Sequence, residues 1–381
     1  MNSLFVLLLI LIAVCCVINP SQYRQNGGEP TPKNNLDGWH RDESCNYEMI
    51  HVLKTFIKAN KLKHNTNDNW RLYIPCGYNN SELEFSNVKG TDARQKVFII
   101  KGCDNLSRKD TLWHHLRTAY GIKGASKLMP PTYLLYDKHD VERLNQDFNR
   151  NKVYILKKNI QRQEGLKMSQ NKDELLNGQK QGYVVAQEML QDPFIIDGRK
   201  TNCRYYLLVV CQNGITSSFV YTNGFMYYTP LPFEKNSMEM DKVITAGLAT
   251  KRRDSKFYET HPLTLQQFQK YMDNNNHEVD VFQSVGKLLG AVLKAVSPHI
   301  CTPSHLDKQT TFQLFGCDIA FNDKLQPQLM EINKGPDLSS KTDTEVQVKD
   351  TLINLIFQEI GLIQPSTSKP PTEAAVLLKI M

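Results

Sequence analysis

The chain has 381 residues, 40% hydrophobic and 22% charged, which is enough apolar material to bury a sizeable core in one multi-lobed domain or two. Its formal net charge is +7 and its isoelectric point about 8.8, which favours an acidic partner (nucleic acid, an anionic membrane or an acidic protein tail) without choosing among them. Nine cysteines include no C-x-x-C pair, and the seven outside the N-terminal apolar run are an odd number; this excludes the usual zinc spacings and reads as reduced structural thiols, not a disulfide framework.

Residues 4–18 (LFVLLLILIAVCCVI) are an unbroken apolar run with no charged side chain before it. The run is short for a transmembrane helix, which needs roughly 17–25 residues. It also lacks the charged start and small-x-small cleavage pattern of a signal peptide. We read residues 1–20 as an N-terminal membrane anchor in preference to a cleaved signal; the flanking charges leave its orientation open. Residues 21–36, rich in Pro, Gly, Asn and Gln, read as a linker. The globular part begins near Asp37. Asn79-Asn80-Ser81 and Asn105-Leu106-Ser107 match glycosylation acceptors, a short pattern that also arises by chance.

Ile50, Leu53, Phe56, Ile57 and Leu62 recur at helical spacing over residues 48–63, and short strands are expected at 71–74 and 97–100. Ser107 is a candidate N-cap with Asp110 in the first helical turn; Leu112, Trp113 and Leu116 form the apolar side. The Pro130-Pro131 pair ends the helix and opens a strand, a natural boundary between lobes. Residues 153–156 form a strand that ends in Lys157 and Lys158, followed by a polar loop closed by Gly165. A strand-ending lysine beneath a loop can hold nucleotide phosphates, although a solvated basic hairpin explains the pattern too and no GxxxxGK[ST] motif is present. Residues 183–189 (YVVAQEM) are a strand whose end, at Gln187 and Glu188, can present backbone groups to an adenine edge. Lys200 and Arg204 precede a very apolar strand at 205–210, and a further strand at 219–228 is split at Asn223-Gly224. A helical region begins at 268–271 and continues through 281–296, where Ser297-Pro298 stops it.

Residues 312–338 (FQLFGCDIAFNDKLQPQLMEINKGPDL) read as a β-hairpin: an apolar run at 312–321, a turn at 322–324 and a return run at 327–332. Glu331 and Asn333 are two apart and share a face, and the hairpin can bring Asp318 across from them. Two carboxylates and an amide are oxygen donors that suit Mg²⁺, which is usually held by one or two carboxylates plus substrate phosphates. Residues 345–360 read as a last helix capped by Gly361, and residues 363–381 as a loose tail.

In order, these blocks resemble the tubulin–tyrosine ligase-like family. LSRKDTLWHHL with MPPTYLL (106–116, 129–135) is similar to its T-R-K-D…P-x-T-F block, and VYILKK with Arg162–Leu166 to its phosphate-binding hairpin. VVAQEMLQDPFIIDGRKTNCRYYLLV (184–209) and FGCDIAF…LMEINKGPDL (315–338) resemble its two most specific blocks. The resemblance spans about residues 37–362. It implies an ATP-grasp fold of the α/β (α+β) class, with three lobes around a nucleotide site: residues 37–130, 131–186 and 187–362, followed by a tail at 363–381. It implies an ATP-dependent carboxylate–amine ligase that uses Mg²⁺ and adds a free amino acid (glutamate, glycine or tyrosine) to tubulin or another acidic protein tail through an acyl phosphate, polyglutamylation being one form. Lys157, Arg204 and Glu331 carry over as catalytic. Lys157, Arg162, Gly165, Gln187, Glu188, Met189, Leu190, Lys200 and Asn202 carry over to the nucleotide, and Asp318, Glu331 and Asn333 to the metal. No nucleic-acid partner is expected, and the catalytic domain, tethered at the membrane, is expected to face the cytosol.

Three positions depart from the family pattern. Asn202 stands where the family has aspartate, Tyr227 where it has an arginine facing the γ-phosphate, and Ala246 where it has asparagine. A positioned cation in phosphoryl transfer is worth orders of magnitude in rate. The alternative reading is therefore a catalytically weak or inactive relative that acts as a membrane-tethered nucleotide- or tubulin-binding module.

Overall fold

The computed structural model describes residues 36–160, 165–247, 254–364 and 374–381. The chain opens with β1 (Trp39–His40), α1 (His51–Ala59), β2 (Leu72–Tyr73), α2 (Ser81–Asn87) and β3 (Lys96–Val97). Helices α3 (Asp104–Ser107) and α4 (Lys109–Leu128) lead to β4 (Thr132–Leu134), α5 (Lys138–Asp147), β5 (Tyr154–Lys157), β6 (Leu166–Ser169), α6 (Lys172–Leu176) and β7 (Val185–Glu188). Then come β8 (Ile195–Ile196), the long strands β9 (Arg199–Gln212) and β10 (Ile215–Tyr228), and helices α7 (Met240–Val243), α8 (Phe257–Thr260), α9 (Leu265–Asn274) and α10 (Val281–Val296). The chain closes with β11 (Thr310–Phe321), β12 (Pro327–Lys334), α11 (Asp343–Glu359) and β13 (Leu377–Lys379).

Two sheets result. The larger has nine strands in the order β1-β2-β3-β11-β9-β10-β13, with β12 also on β11 and β8 on β9; the smaller is antiparallel, in the order β4-β7-β5-β6. Both faces of the large sheet are covered, which explains the continuous apolar run of β9. Cys203, Tyr205, Leu207 and Val209 pack in one core with α4, α9 and α10. Tyr206, Leu208 and Val210 alternate into a second core with α1 and α11. Helix starts follow local capping. Thr264 and Gln267 make a reciprocal capping box on α9, Asp280 accepts from the N–H groups of Phe282 and Gln283, and Thr342 accepts from that of Glu345.

The hairpin forms as expected, β11 against β12, around a turn in which the Asn322 side chain accepts from the N–H groups of Lys324 and Gln326. Gly361 takes φ +70° after α11. Four expectations are corrected. Ser107 is already the last residue of the short helix α3, so Arg108, which makes no side-chain cap bond, is the N-cap of α4; Asp110 stands in the first turn as expected, held by Arg108 and Asn159. The helical region at 268–296 is two helices, broken where Asp280 caps the second. The end of the tail is not loose. Its apolar residues form β13 on the open edge of β10, and Gly286 of α10 leaves room for the Ile380 and Leu378 side chains. Finally, Cys45–Cys76 and Cys211–Cys301 are disulfides, and only Cys103, Cys203 and Cys317 are free among the described residues. Partners 31 and 90 residues apart are brought together by the fold, which spacing in the sequence does not reveal.

The run at residues 4–18 and the linker lie outside the described residues. Among the described residues, no helix is long and apolar enough to cross a membrane.

Candidate functional site

A cleft of about 720 Å³ lies between the two sheets. The large sheet supplies one wall as a row of paired positions: Phe225 on β10 opposite Arg204 on β9, Arg204 opposite Asp318 on β11, and Asp318 opposite Glu331 on β12. These side chains emerge on one face because each is directly cross-strand from the next. Asn333 follows Glu331 two residues on and donates to its Oε1 at 3.1 Å. Arg204 grips Asp318 through both Nε and Nη2, at 2.6 and 3.1 Å. Gly316 makes this possible: a side chain there would meet the Arg204 guanidinium arm at 3.3 Å and Pro336 at 2.9 Å.

The small sheet supplies the facing wall. Lys157, at the end of β5, donates to Gln187 Oε1 at 2.6 Å and reaches the Met330 carbonyl at 3.4 Å. Lys200, on β9 of the large sheet four residues before Arg204, donates to the Val243 carbonyl at 3.0 Å. Burial pushes both ammonium groups down to about 8; the charge of Glu331 partly offsets this for Lys157, and Lys157 adds to it for Lys200. Met189 and Leu190 line the cleft beyond Gln187.

The two facing carboxylates are pushed apart in acidity. Burial, and then the charge of Glu331, raise the pKa of Asp318 above the usual carboxylate range against the pull of Arg204. Burial opposes the charge of Glu331 as well, but Lys109, Lys157 and Arg204 outweigh it and hold Glu331 below that range. Two half-buried carboxylates plus an amide, one carboxylate already inclined to keep a proton, are a donor set that a small hard cation would relieve. Asp318, Glu331 and Asn333 therefore fit Mg²⁺, with the amide turned to offer its oxygen. A separate group, Glu82, Cys103 and Asp104, has its ligand atoms within 4.8 Å of one another, and its Asp104 is ion-paired to Lys334.

Residues 89–371 match the Tubulin-tyrosine ligase family. The chain belongs to that family. It is 24% identical over 310 residues to the tubulin polyglutamylase TTLL6 of Mus musculus, covering 75% of this chain and 36% of that one. It is 26% identical over 193 residues to the probable tubulin polyglutamylase TTLL9 of Rattus norvegicus, covering 49% and 40%. It is 24% identical over 282 residues to the tubulin polyglutamylase TTLL7 of Homo sapiens, covering 67% and 31%. The chain thus spans less than half the length of these relatives.

Within this tubulin–tyrosine ligase family chain, Lys157, Gln187, Glu188, Met189, Leu190, Lys200, Asn202, Arg204, Asp318, Glu331 and Asn333 converge on one cleft. Glu188 directs its carboxylate to Lys152, at 2.7 Å, and to the Tyr133 hydroxyl, so its part in the cleft falls to its backbone. Gly165 accepts from the Lys158 N–H and closes the loop rather than lining the cleft. Arg162 lies outside the described residues. Of the three divergent positions, Asn202 lines the cleft with a buried Oδ1 that has no hydrogen-bond partner among the described residues. Tyr227 places its ring 5.5 Å from the Arg204 guanidinium. Ala246 is buried in a backbone bridge to Tyr228, and its side chain does not line the cleft.

Lys109 went without a role in the sequence, although it lies in the R-K-D triplet. Its Nζ sits 3.6 Å from Glu331 and its charge, with those of Lys157 and Arg204, keeps Glu331 ionised. Lys349 and Glu345, one turn apart on α11, close the far end of the cleft, with Lys349 over the Phe225 ring at 5.2 Å. Helical periodicity hides both, because they sit among core positions.

Proposed function

We propose that the cleft is the site of an ATP-dependent carboxylate–amine ligase that joins an amino acid, glutamate by analogy with the polyglutamylase relatives, to an acidic protein segment of the tubulin-tail kind. The observation that carries this reading is the arrangement of charge: Lys157 at the end of β5 on the small sheet faces Lys200 and Arg204 on β9 of the large sheet, with Asp318 and Glu331 in register beside Arg204. A carboxylate and a nucleotide triphosphate are both anions, and bringing them together requires cations fixed in place beforehand. Lys157 and Lys200 would pair with phosphate oxygens, and the Gln187–Leu190 strand end would take the adenine edge. Asp318, Glu331 and Asn333 would hold Mg²⁺, which neutralises phosphate charge when bound. Arg204, locked by Asp318, would orient the carboxylate to be activated. The γ-phosphoryl group passes to that carboxylate, and the incoming amine then displaces phosphate to leave an amide.

A second reading, a nucleotide- or tail-binding relative with slow chemistry, is favoured by Tyr227 beside Arg204 and by the uncharged Asn202. Thermal unfolding of the full chain with and without Mg²⁺-ATP, beside incorporation of labelled glutamate, separates the readings. We expect a stabilising shift that shrinks in Glu331→Gln, with incorporation lost in that variant. A shift without incorporation in the parent supports the second reading, and no shift in a folded parent at millimolar nucleotide refutes the ligase reading and leaves only the tail-binding form of the second.

A further inference from the structure

The cysteines sort by exposure in a way the ligase reading does not use. Cys45, Cys76, Cys211 and Cys301 are all partly exposed, and all four are paired; Cys103, Cys203 and Cys317 are buried and free. The two pairs are independent, one in the N-terminal part and one joining β9 to the segment after α10, with Cα separations of 5.3 and 5.6 Å, inside the disulfide range. A chain kept among glutathione and thioredoxin gains nothing from two long-range surface pairs, whereas chains of oxidising compartments carry them routinely. Two further features point the same way. Residues 4–18 have the apolar character of a segment that delivers a chain to a membrane. The glycosylation pattern at Asn79 sits on an exposed turn; the other, Asn105, has its amide donated to the Gly102 and His299 carbonyls.

We propose that this chain matures in an oxidising compartment, with Cys45–Cys76 and Cys211–Cys301 bonded, and that its acceptor is an acidic segment of a protein of that compartment and not cytosolic tubulin; the acceptor clause rests on the ligase reading above. Each bond forms by exchange with the disulfide of an oxidised dithiol carrier, which leaves as its dithiol while the two cysteine thiols give up their protons. The Cys45–Cys76 bond also bears on the cleft. It closes a loop that contains Ile50 and ends two residues before Tyr78; both residues line the cleft, and Tyr78 packs directly on Gly335.

The test traps thiols in living cells. Cells expressing the full chain are quenched in acid, denatured in excess alkylating agent without reductant, and the protein is mapped by mass spectrometry. The expected result is two linked peptides, Cys45–Cys76 and Cys211–Cys301, with alkylation confined to Cys103, Cys203 and Cys317 among the cysteines after residue 35. Alkyl groups on Cys45, Cys76, Cys211 and Cys301 in most molecules would overturn the proposal and return the domain to the cytosol. On purified bonded protein, mild reduction is expected to lower the melting temperature by roughly 5 °C, and no drop would overturn a structural role for the bonds. Mg²⁺-ATP-induced stabilisation of the same bonded protein reports separately on the ligase reading: linked peptides without that shift would leave the compartment standing and remove the acceptor clause.

Discussion

Lys200 is a buried cation with one carbonyl partner, and this makes a specific forecast for Lys200→Met. Its ammonium group is pushed from 10.5 to about 8 by burial and by Lys157. At 1.36 kcal/mol per pKa unit, keeping it charged at pH 7 costs the fold about 3 kcal/mol. Methionine fills similar space without the charge but gives up the hydrogen bond to the Val243 carbonyl, a loss of about 1–2 kcal/mol. The variant should therefore be more stable than the parent by about 1–2 kcal/mol, which for a domain of this size is about 2 °C in melting temperature. Its response to nucleotide should move the other way. If the lost phosphate contact weakens binding about tenfold, a nucleotide concentration that stabilises the parent by about 2.7 kcal/mol stabilises the variant by about 1.4 kcal/mol. Differential scanning fluorimetry of both proteins, with and without Mg²⁺-ATP, reads both quantities. A variant that melts below the parent yet keeps its full nucleotide shift would refute the reasoning and make Lys200 a structural residue.

The same physics gives a pH dependence. Lys157 and Lys200 titrate near 8 in the fold and near 10.5 unfolded, so between these values the unfolded chain binds more protons, and their contribution to stability rises with pH across that window. Nucleotide affinity should fall over the same range as the ammonium groups lose their protons, so melting curves with and without Mg²⁺-ATP, run from pH 7 to 9.5, should converge. Removal of residues 374–381 strips β13 from β10, with the Ser218 and Thr222 backbone bonds it satisfies. It should cost about 3–5 kcal/mol in chemical denaturation and promote association through the bared edge.

How much was legible follows from what each residue depends on. The two facing carboxylates were readable because a hairpin brings its arms together: the turn at Asn322 sets the pairing as far as Ile319 with Leu329, and a bulge before Asp318, which the sequence does not announce, shifts the register by one residue and puts Asp318 opposite Glu331. Lys157 was readable because it ends a short strand in a recognisable block. Lys109 and Lys349 were not, because their helices earn their positions by core packing, and only the fold turns one charged position of each into the cleft. The disulfides and β13 were missed for a related reason. Each joins segments tens to more than a hundred residues apart, and local pattern carries no information about such pairings.

The row that runs Phe225, Arg204, Asp318, Glu331 has a further consequence. Neighbouring strands in a sheet are held about 4.8 Å apart by backbone hydrogen bonds, whatever their side chains. The guanidinium and the two carboxylates are thus graduations on a ruler whose pitch no side-chain substitution can change. The opposite edge of the cleft, from Gly335 to Lys341, is loop and obeys no such pitch. Changes in that loop can alter what the cleft admits while the spacing between cation and carboxylates stays as the sheet sets it.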